Sequence, residues 1–321
     1  MDVPMVFAAA LLLALAIDHY LGEPPLRWHP VVWMGHYLNR MSAWVAPAVP
    51  LSPSNSRDLK AFSLGALAWW AGVALVLIAA WALQWAALQL PGALAALLLG
   101  LALKPMLAWR MLRREVQAVE HALAESLEAG RERLAWLVSR DTALLSESEV
   151  RESAIESLAE NLNDSVVAPI FWFVLFGLPG AALYRFANTA DAMWGYRGLR
   201  HGVNWEWAGK WAAWADDVLS WLPARITAGL LALVAGGLPL KALRLEARKT
   251  PSPNSGWPMA AMALALGVAL RKPGVYTLNP AGRPPGVSDM SKTQEYASKV
   301  VIAQVVWSLF AIVLIASEVS P

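Results

Sequence analysis

From Ala61 through Leu103 the chain runs for 43 residues without a Lys, Arg, Asp or Glu. A hydrocarbon layer about 30 Å thick needs roughly 20 apolar residues per crossing helix. The uncharged run therefore reads as two membrane helices, Ala61 to Leu83 and Ala93 to Leu103, joined by a short turn at Gln84 to Gly92. The second extends into the Lys104 to Arg114 region, where long basic side chains can snorkel toward water. Composition agrees: 57% of residues are hydrophobic and 16% charged, against roughly a quarter charged in soluble domains, and the mean hydropathy is +0.44. This disfavours a cytosolic enzyme, a disordered chain and a nucleic-acid binder; with a net charge of +2, the scattered basic residues form no stripe for phosphates. The absence of Cys removes disulfides, thiolate nucleophiles and iron–sulfur sites. Eighteen Trp suit a long membrane–water boundary.

The other apolar runs are less regular. Val3 to Ile17 reads as a retained membrane helix, because its Met-Asp-Val-Pro leader has no basic residue. Val300 to Ala316 forms the last span. Val166 to Phe186 is interrupted by Gly177-Leu178-Pro179-Gly180, Leu219 to Leu240 by Pro223 and Gly236-Gly237, and Met259 to Leu270 is too short to cross. Such segments suit re-entrant or tilted, protein-covered helices, with a plain crossing as the alternative for each. The expected fold is all-α: a polytopic integral membrane protein with re-entrant or broken helices, a single membrane-embedded domain over 1–321. Within it, residues 104–165 form a largely cytoplasmic helical segment. Pro47 to Ser56 is the linker-like stretch. Only the turn at Gln84 to Gly92 lacks Lys and Arg, so the positive-inside rule places it outside and Arg113 to Asn163 in the cytoplasm.

Twelve of the 24 acidic residues lie between Glu115 and Asp164. Glu152, Glu156 and Glu160 recur every fourth residue and share one helix face, with Asn163 and Asp164 close behind. Like charges at that spacing repel unless a cation or basic group faces them, so the face is either simply solvated or a site for a hard cation or an ammonium. Asp141 or Thr142 is expected to cap a helix here. In Tyr184 to Tyr196, Asn188 and Asp191 are three apart and on one face if helical. Asp216-Asp217 read as a helix cap or, with Asp191 and Arg225, as an Mg²⁺ and phosphate site at a membrane boundary. Asn254 and Ser255 are placed to cap the short apolar helix after them. His29 is a lone His beside Pro30, structural or an acid–base group. The five His show no metal-ligand spacing, and no phosphate-binding glycine loop is present.

In order, these segments resemble the adenosylcobinamide-phosphate synthase family, integral-membrane proteins of cobalamin biosynthesis. The resemblance runs through Asp18, Gly22, Pro24, His29-Pro30 and Gly35, then Arg140-Asp141-Thr142, Glu156, Glu160-Asn161, Asp164 and Pro169. It continues through Tyr184, Asn188-Thr189, Asp191-Ala192-Met193 and Gly195-Tyr196, and ends with Asp216-Asp217, Pro223-Ala224-Arg225, Ser252-Pro253-Asn254 and Gly256-Trp257-Pro258. Departures are Glu23, where the family usually has Asp, and Ala190 and Ala192, where it typically has Leu and Ser. The missing Ser argues against that hydroxyl as an obligatory nucleophile.

The resemblance implies an ATP-dependent carbon–nitrogen ligase of the bacterial inner membrane, with its site facing the cytoplasm. It joins adenosylcobyric acid to 1-aminopropan-2-ol phosphate, or a related amino alcohol phosphate, giving adenosylcobinamide phosphate. It implies Mg²⁺ with ATP as co-substrate, corrinoid and amino-alcohol phosphate as ligands, the lipid bilayer and other cobalamin-assembly enzymes as partners, and no nucleic acid. Carried onto this chain, Glu156, Glu160 and Asp191 are the candidate catalytic residues. Arg140, Asp141, Asn161, Asn188, Tyr196, Arg197, Arg225 and Asn254 are candidates for substrate binding, and Asp164, Asp191, Asp216 and Asp217 for metal. A non-catalytic sensing relative and a corrinoid-precursor permease share the hydrophobic frame. The former would not need the acidic and Asn motifs together, and the latter would place charges at mid-membrane depth. A single Cys in the Gln84 to Gly92 turn should react with an impermeant maleimide in intact cells, and one between Arg113 and Asn163 only after lysis; the reverse pattern would invert the topology.

Overall fold

The computed structural model describes residues 2–46, 57–200 and 202–319; the linker-like stretch Pro47 to Ser56 lies outside them. The protein is an all-α polytopic membrane protein. Its helices are α1 (Val3–Tyr20), α2 (Pro30–Val45), α3 (Leu59–Leu88), α4 (Gly92–Leu103), α5 (Trp109–Glu125), α6 (Leu127–Leu134), α7 (Glu147–Leu162) and α8 (Ala168–Trp194). After the small ladder β1 (Leu199–Arg200) and β2 (Val203–Asn204) come α9 (Lys210–Val234), α10 (Leu240–Ala247), α11 (Gly256–Leu266), the hairpin β3 (Leu270–Lys272) and β4 (Tyr276–Leu278), and α12 (Val287–Val319). Among the described residues, six helical stretches are long and apolar enough to cross a membrane: Val3–Tyr20, Leu59–Leu88, Gly92–Glu125, Glu147–Trp194, Lys210–Val234 and Val287–Leu314. In the fourth, the apolar part begins beyond Asp164; α7 carries six charged residues and is not itself lipid-compatible.

The chain divides into two compact units. One comprises Met1–Leu107, Pro169–Leu219 and Ile312–Pro321; the other comprises Ala108–Ala168 and Ser220–Ala311.

In the first unit α3 starts where the Asp58 carboxylate accepts the Ala61 N–H at 2.9 Å, an N-cap that satisfies one of the helix's open donors. It then presents Leu67, Leu75, Ile78 and Trp81 outward, exposed as lipid-facing residues are, while Trp69 and Val73 are buried. α1 packs on α4 through side chains such as Ala10, Ala14 and Leu99, all fully buried. The expected interruption of α8 is present: Gly177 takes φ +66° and ψ −152°, a conformation that L side chains rarely adopt. The Leu178 N–H freed there donates to Gln84 Oε1 of α3 at 2.8 Å, so a neighbouring helix satisfies the broken backbone.

Two expectations fail. Pro223 does not break its segment: α9 runs unbroken from Lys210 to Val234 and the chain turns only at Gly236 and Gly237, both with positive φ. A Pro in a membrane helix is tolerated when other groups take up the freed carbonyl, here that of Leu219 four residues earlier, which accepts from the Trp172 indole N–H at 3.1 Å. Lys104 does not snorkel. Only 3% exposed, it lies 3.1 Å from Asp18 Oδ1 and 2.7 Å from Glu23 Oε2. Glu23 in turn meets His29 Nε2 at 3.2 Å. Burial pushes the Glu23 carboxyl up, but the hydrogen bonds from His29 and Lys104 outweigh it and hold the group below the ordinary carboxylate range.

In the second unit α7 is central, packed against α5, α6, α11 and β3. Val150, Ala154, Ile155, Leu158 and Leu162 are fully buried along it. The apolar helix α11, too short to cross, is likewise buried from Pro258 to Ala263.

Replacing Lys104 with Met removes the ammonium beside the buried carboxylate of Asp18, 1% exposed, and should cost about 3 kcal/mol in reversible unfolding from detergent micelles. The double variant Asp18→Asn/Lys104→Met should recover part of that loss; an unchanged midpoint for Lys104→Met would show that the cluster carries no stability.

Candidate active site

α7 begins at a capping box, and not at the expected Asp141 or Thr142. The Ser146 hydroxyl accepts the Glu149 N–H at 3.4 Å while Glu149 Oε2 accepts the Ser146 N–H at 2.8 Å. Asp141 instead closes its own turn by accepting the Ala143 N–H, and Thr142 donates to Arg131 O. Asp141 is exposed and does not line the cleft described next.

The acidic face of α7 is covered by basic groups, the condition that its like charges require. Glu152, fully buried, accepts from the Arg271 backbone N–H at 2.8 Å and from its guanidinium at 2.6 Å. One turn on, Glu156 is 6% exposed and meets Arg140 Nη2 at 3.4 Å, while the same guanidinium nitrogen donates to the Ser153 hydroxyl. Glu160, Asn161, Lys272 and Tyr276 complete a cleft of about 160 Å³ with them. Burial drives the Glu156 carboxyl up; Arg140, Tyr276 and Lys272 oppose that and Glu152 adds to it, leaving a pKa of about 7. Burial, and then the facing carboxylates Glu156 and Glu160, push the Tyr276 phenol well above its ordinary value. The cleft thus holds a carboxylate that exchanges its proton near neutrality, a property concentrated at functional sites. Asn161 donates to Ser157 O at 2.9 Å and edges the cleft.

Elsewhere in this unit, Asp164 accepts from Asn163 at 2.8 Å, and the Thr227 hydroxyl donates to Asn163 at 3.0 Å. Arg225 and Asn254 are brought together, but not in the Glu156 cleft. The Arg225 guanidinium lies between the Trp221 and Trp257 rings, donating to Asn254 Oδ1, Trp221 O and Pro253 O. Ser255, at the N-cap of α11, makes no side-chain cap bond, while Asn254 Oδ1 accepts from Arg225; Ser252 Oγ accepts the N–H groups of both Asn254 and Ser255 and shapes the turn.

The remaining candidates lie in the first unit. Asn188 and Asp191 share a face of α8, and Asn188 Nδ2 is 3.5 Å from Asp216 Oδ1. Asp216 and Asp217 sit inside α9, so neither is a cap. The Asp191 carboxylate packs over Gly195, where any Cβ would overlap it. Arg197, exposed, attracts Asp217. Tyr196 donates to Ala192 O at 2.7 Å under the Arg200 guanidinium, 3.5 Å from the ring centroid. Of the expected metal ligands, Asp191, Asp216 and Asp217 belong to the first unit and Asp164 to the second. Among the described residues no three His, Asp or Glu side chains converge on a metal position. The oxygen donors Asn188, Asp191 and Asp216 still fit Mg²⁺, which commonly takes one or two protein carboxylates and completes its shell with water and phosphate oxygens.

Arg271, Lys272 and Tyr276 were missed by sequence reasoning. Their one local signal is Pro273-Gly274 between two short runs that can pair as strands, the punctuation of a hairpin.

A family profile described as "CobD/Cbib protein" matches residues 11–305. The chain belongs to that family. It is 39% identical to the "Probable cobalamin biosynthesis protein CobD" of Thermococcus kodakarensis, over 97% of this chain and 96% of that one. It is 40% identical to the protein of the same name from Methanothermobacter thermautotrophicus, over 84% and 86%. To the "Cobalamin biosynthesis protein CobD" of Chromobacterium violaceum it is 42% identical, over 82% and 81%. No solved structure matches it. As a CobD/Cbib protein the chain is a membrane member of a cobalamin-biosynthesis family, and the resemblance seen in its motifs is upheld.

Arg271→Ala should expose the cost of the buried Glu152 charge, about 3 kcal/mol in detergent unfolding, and Glu152→Gln added to it should restore part. Equal stability of Arg271→Ala and the parent would remove the hairpin clamp from this account.

Proposed function

We propose that this protein is the ATP-dependent synthase that joins adenosylcobyric acid to 1-aminopropan-2-ol phosphate, or a related amino alcohol phosphate, at the cytoplasmic side of the bacterial inner membrane. The observation that carries the reading is Glu156, a buried carboxylate that titrates near neutrality beside Arg140, in a chain of a cobalamin-biosynthesis family.

A carboxylate is a poor acyl donor. In the proposed route its oxygen takes the terminal phosphoryl group of ATP, releasing ADP. The amine nitrogen then attacks the carbonyl carbon, the acyl carbon–oxygen bond breaks, and inorganic phosphate leaves. Only the neutral amine attacks, so its protons must pass to a base; Glu156, ionised above about pH 7, takes that role. Glu160 holds the ammonium before it loses its proton, and Arg140 meets an anionic group of the substrate. Asn188, Asp191 and Asp216, with Asp217, are the residues that would hold Mg²⁺, which when bound neutralises charge on phosphoryl oxygens. The outward apolar faces support the bilayer as the protein's setting.

The test is incubation of the purified protein in nanodiscs with adenosylcobyric acid, ATP, Mg²⁺ and aminopropanol phosphate, read by mass spectrometry. An amide product with stoichiometric ADP is expected. Glu156→Gln should lower kcat at least about 100-fold. Because the base works ionised, kcat/KM should rise with pH through about 7, and the variant should lose that limb. Full turnover by Glu156→Gln would end its assignment as the base.

A further inference from the structure

The cleft beside α7 has two unmet ends. Arg140 Nη1 and Glu156 Oε1 are both buried without a hydrogen-bond partner, although the two residues touch through Nη2 and Oε2. A buried donor on a cation and a buried acceptor on an anion are each costly to leave unpaired. One molecule carrying both an oxyanion and an ammonium would satisfy the two together. An anion alone leaves Glu156 Oε1 unmet, and a cation alone does the same to Arg140 Nη1.

Each end is doubled. Lys272, from β3, lines the same cleft as Arg140 and acts on Glu156, and Glu160 joins Glu156 one turn along α7. The positive end is therefore supplied by the chain before α7 and by the hairpin, and the negative end by α7 itself. The hairpin is fixed in register by the pairs Leu270 with Leu278 and Lys272 with Tyr276. It is anchored to α7 by the Arg271–Glu152 ion pair, so the position of Lys272 is set by its neighbour in the chain.

Size narrows the ligand. About 160 Å³ falls below the roughly 300–1,000 Å³ of pockets for drug-sized molecules, so a tetrapyrrole does not enter and a chain of a few carbons does. The other cations named at the outset do not line this cleft: Arg225 is committed to Asn254 and to backbone carbonyls, and Arg197 lies elsewhere.

We propose that this cleft binds the smaller, zwitterionic substrate, an amino-alcohol phosphate, with its phosphate on Arg140 and Lys272 and its ammonium on Glu156 and Glu160, and that Lys272 is a specificity-determining residue. The phosphate identity of the oxyanion rests on the synthase reading above; the demand for a small ammonium–oxyanion pair rests on the cleft alone.

Calorimetry on the full-length protein in nanodiscs, without ATP or corrinoid, tests this with phosphoethanolamine, ethanolamine and inorganic phosphate as separate probes. Phosphoethanolamine should bind at least about 30-fold more tightly than either half, the scale of one to two charged hydrogen bonds. Lys272→Met should weaken it about 10-fold or more with an unchanged melting temperature, and Lys272→Arg should keep most of the affinity. Inorganic phosphate binding as tightly as phosphoethanolamine, or Lys272→Met binding like the parent, would overturn the assignment. Turnover separates the two readings. Amide formation by Lys272→Met at the parent KM for aminopropanol phosphate sinks the cleft assignment and leaves the synthase standing. Selective phosphoethanolamine binding with no amide product from the parent does the opposite.

Discussion

A carboxylate withdrawn from water must find a cation or give up its charge, and α7 withdraws two in successive turns. Glu152, at zero exposure, finds Arg271. Glu156 has a long contact to Arg140, with Tyr276 and Lys272 beside it, and settles at a pKa near neutrality. That difference between neighbours on one helix face divides structure from chemistry in the second unit. The fully paired acid fixes the β3–β4 hairpin, and the under-paired acid faces the space that the hairpin helps to close.

The first unit meets the same constraint with a different solution. Asp18, Lys104 and Glu23 gather two acids around one ammonium, with His29 behind Glu23. Buried groups so paired are costly to break singly and give little net stability as a set. Asn188 and Asp216 approach one another from α8 and α9 with Asp191 on the same face of α8, an oxygen-rich array of the kind hard cations use. At Gly177 the backbone itself is the polar group at risk, and Gln84 meets it.

The lipid-facing frame was legible in the sequence because hydrocarbon punishes charge over whole segments, so Ala61 to Leu103 declares itself without any tertiary information. The break at Gly177 was legible for a related reason: Gly-Leu-Pro-Gly cannot propagate a regular helix. Pro223 was misread because its consequence depends on whether a neighbour takes up the freed Leu219 carbonyl, as Trp172 does. Lys104 was misread because its partners Asp18 and Glu23 lie some 80 residues earlier in the chain. In the candidate site, the 4-residue spacing of Glu152, Glu156 and Glu160 carried the shared face correctly, together with its need for basic company. The identity of that company was out of reach, since Arg271 meets Glu152 across 119 residues and Lys272 and Tyr276 come with the same hairpin.

The account turns on Glu156 being a buried acid poised between its two protonation states, and isotope-edited infrared titration of the protein in nanodiscs observes that directly. A protonated-carboxyl band that is absent from Glu156→Gln should reach half intensity near pH 7 and be lost when phosphoethanolamine supplies the missing ammonium. A Glu156 carboxyl that is fully ionised by pH 5, with or without that ligand, would contradict it.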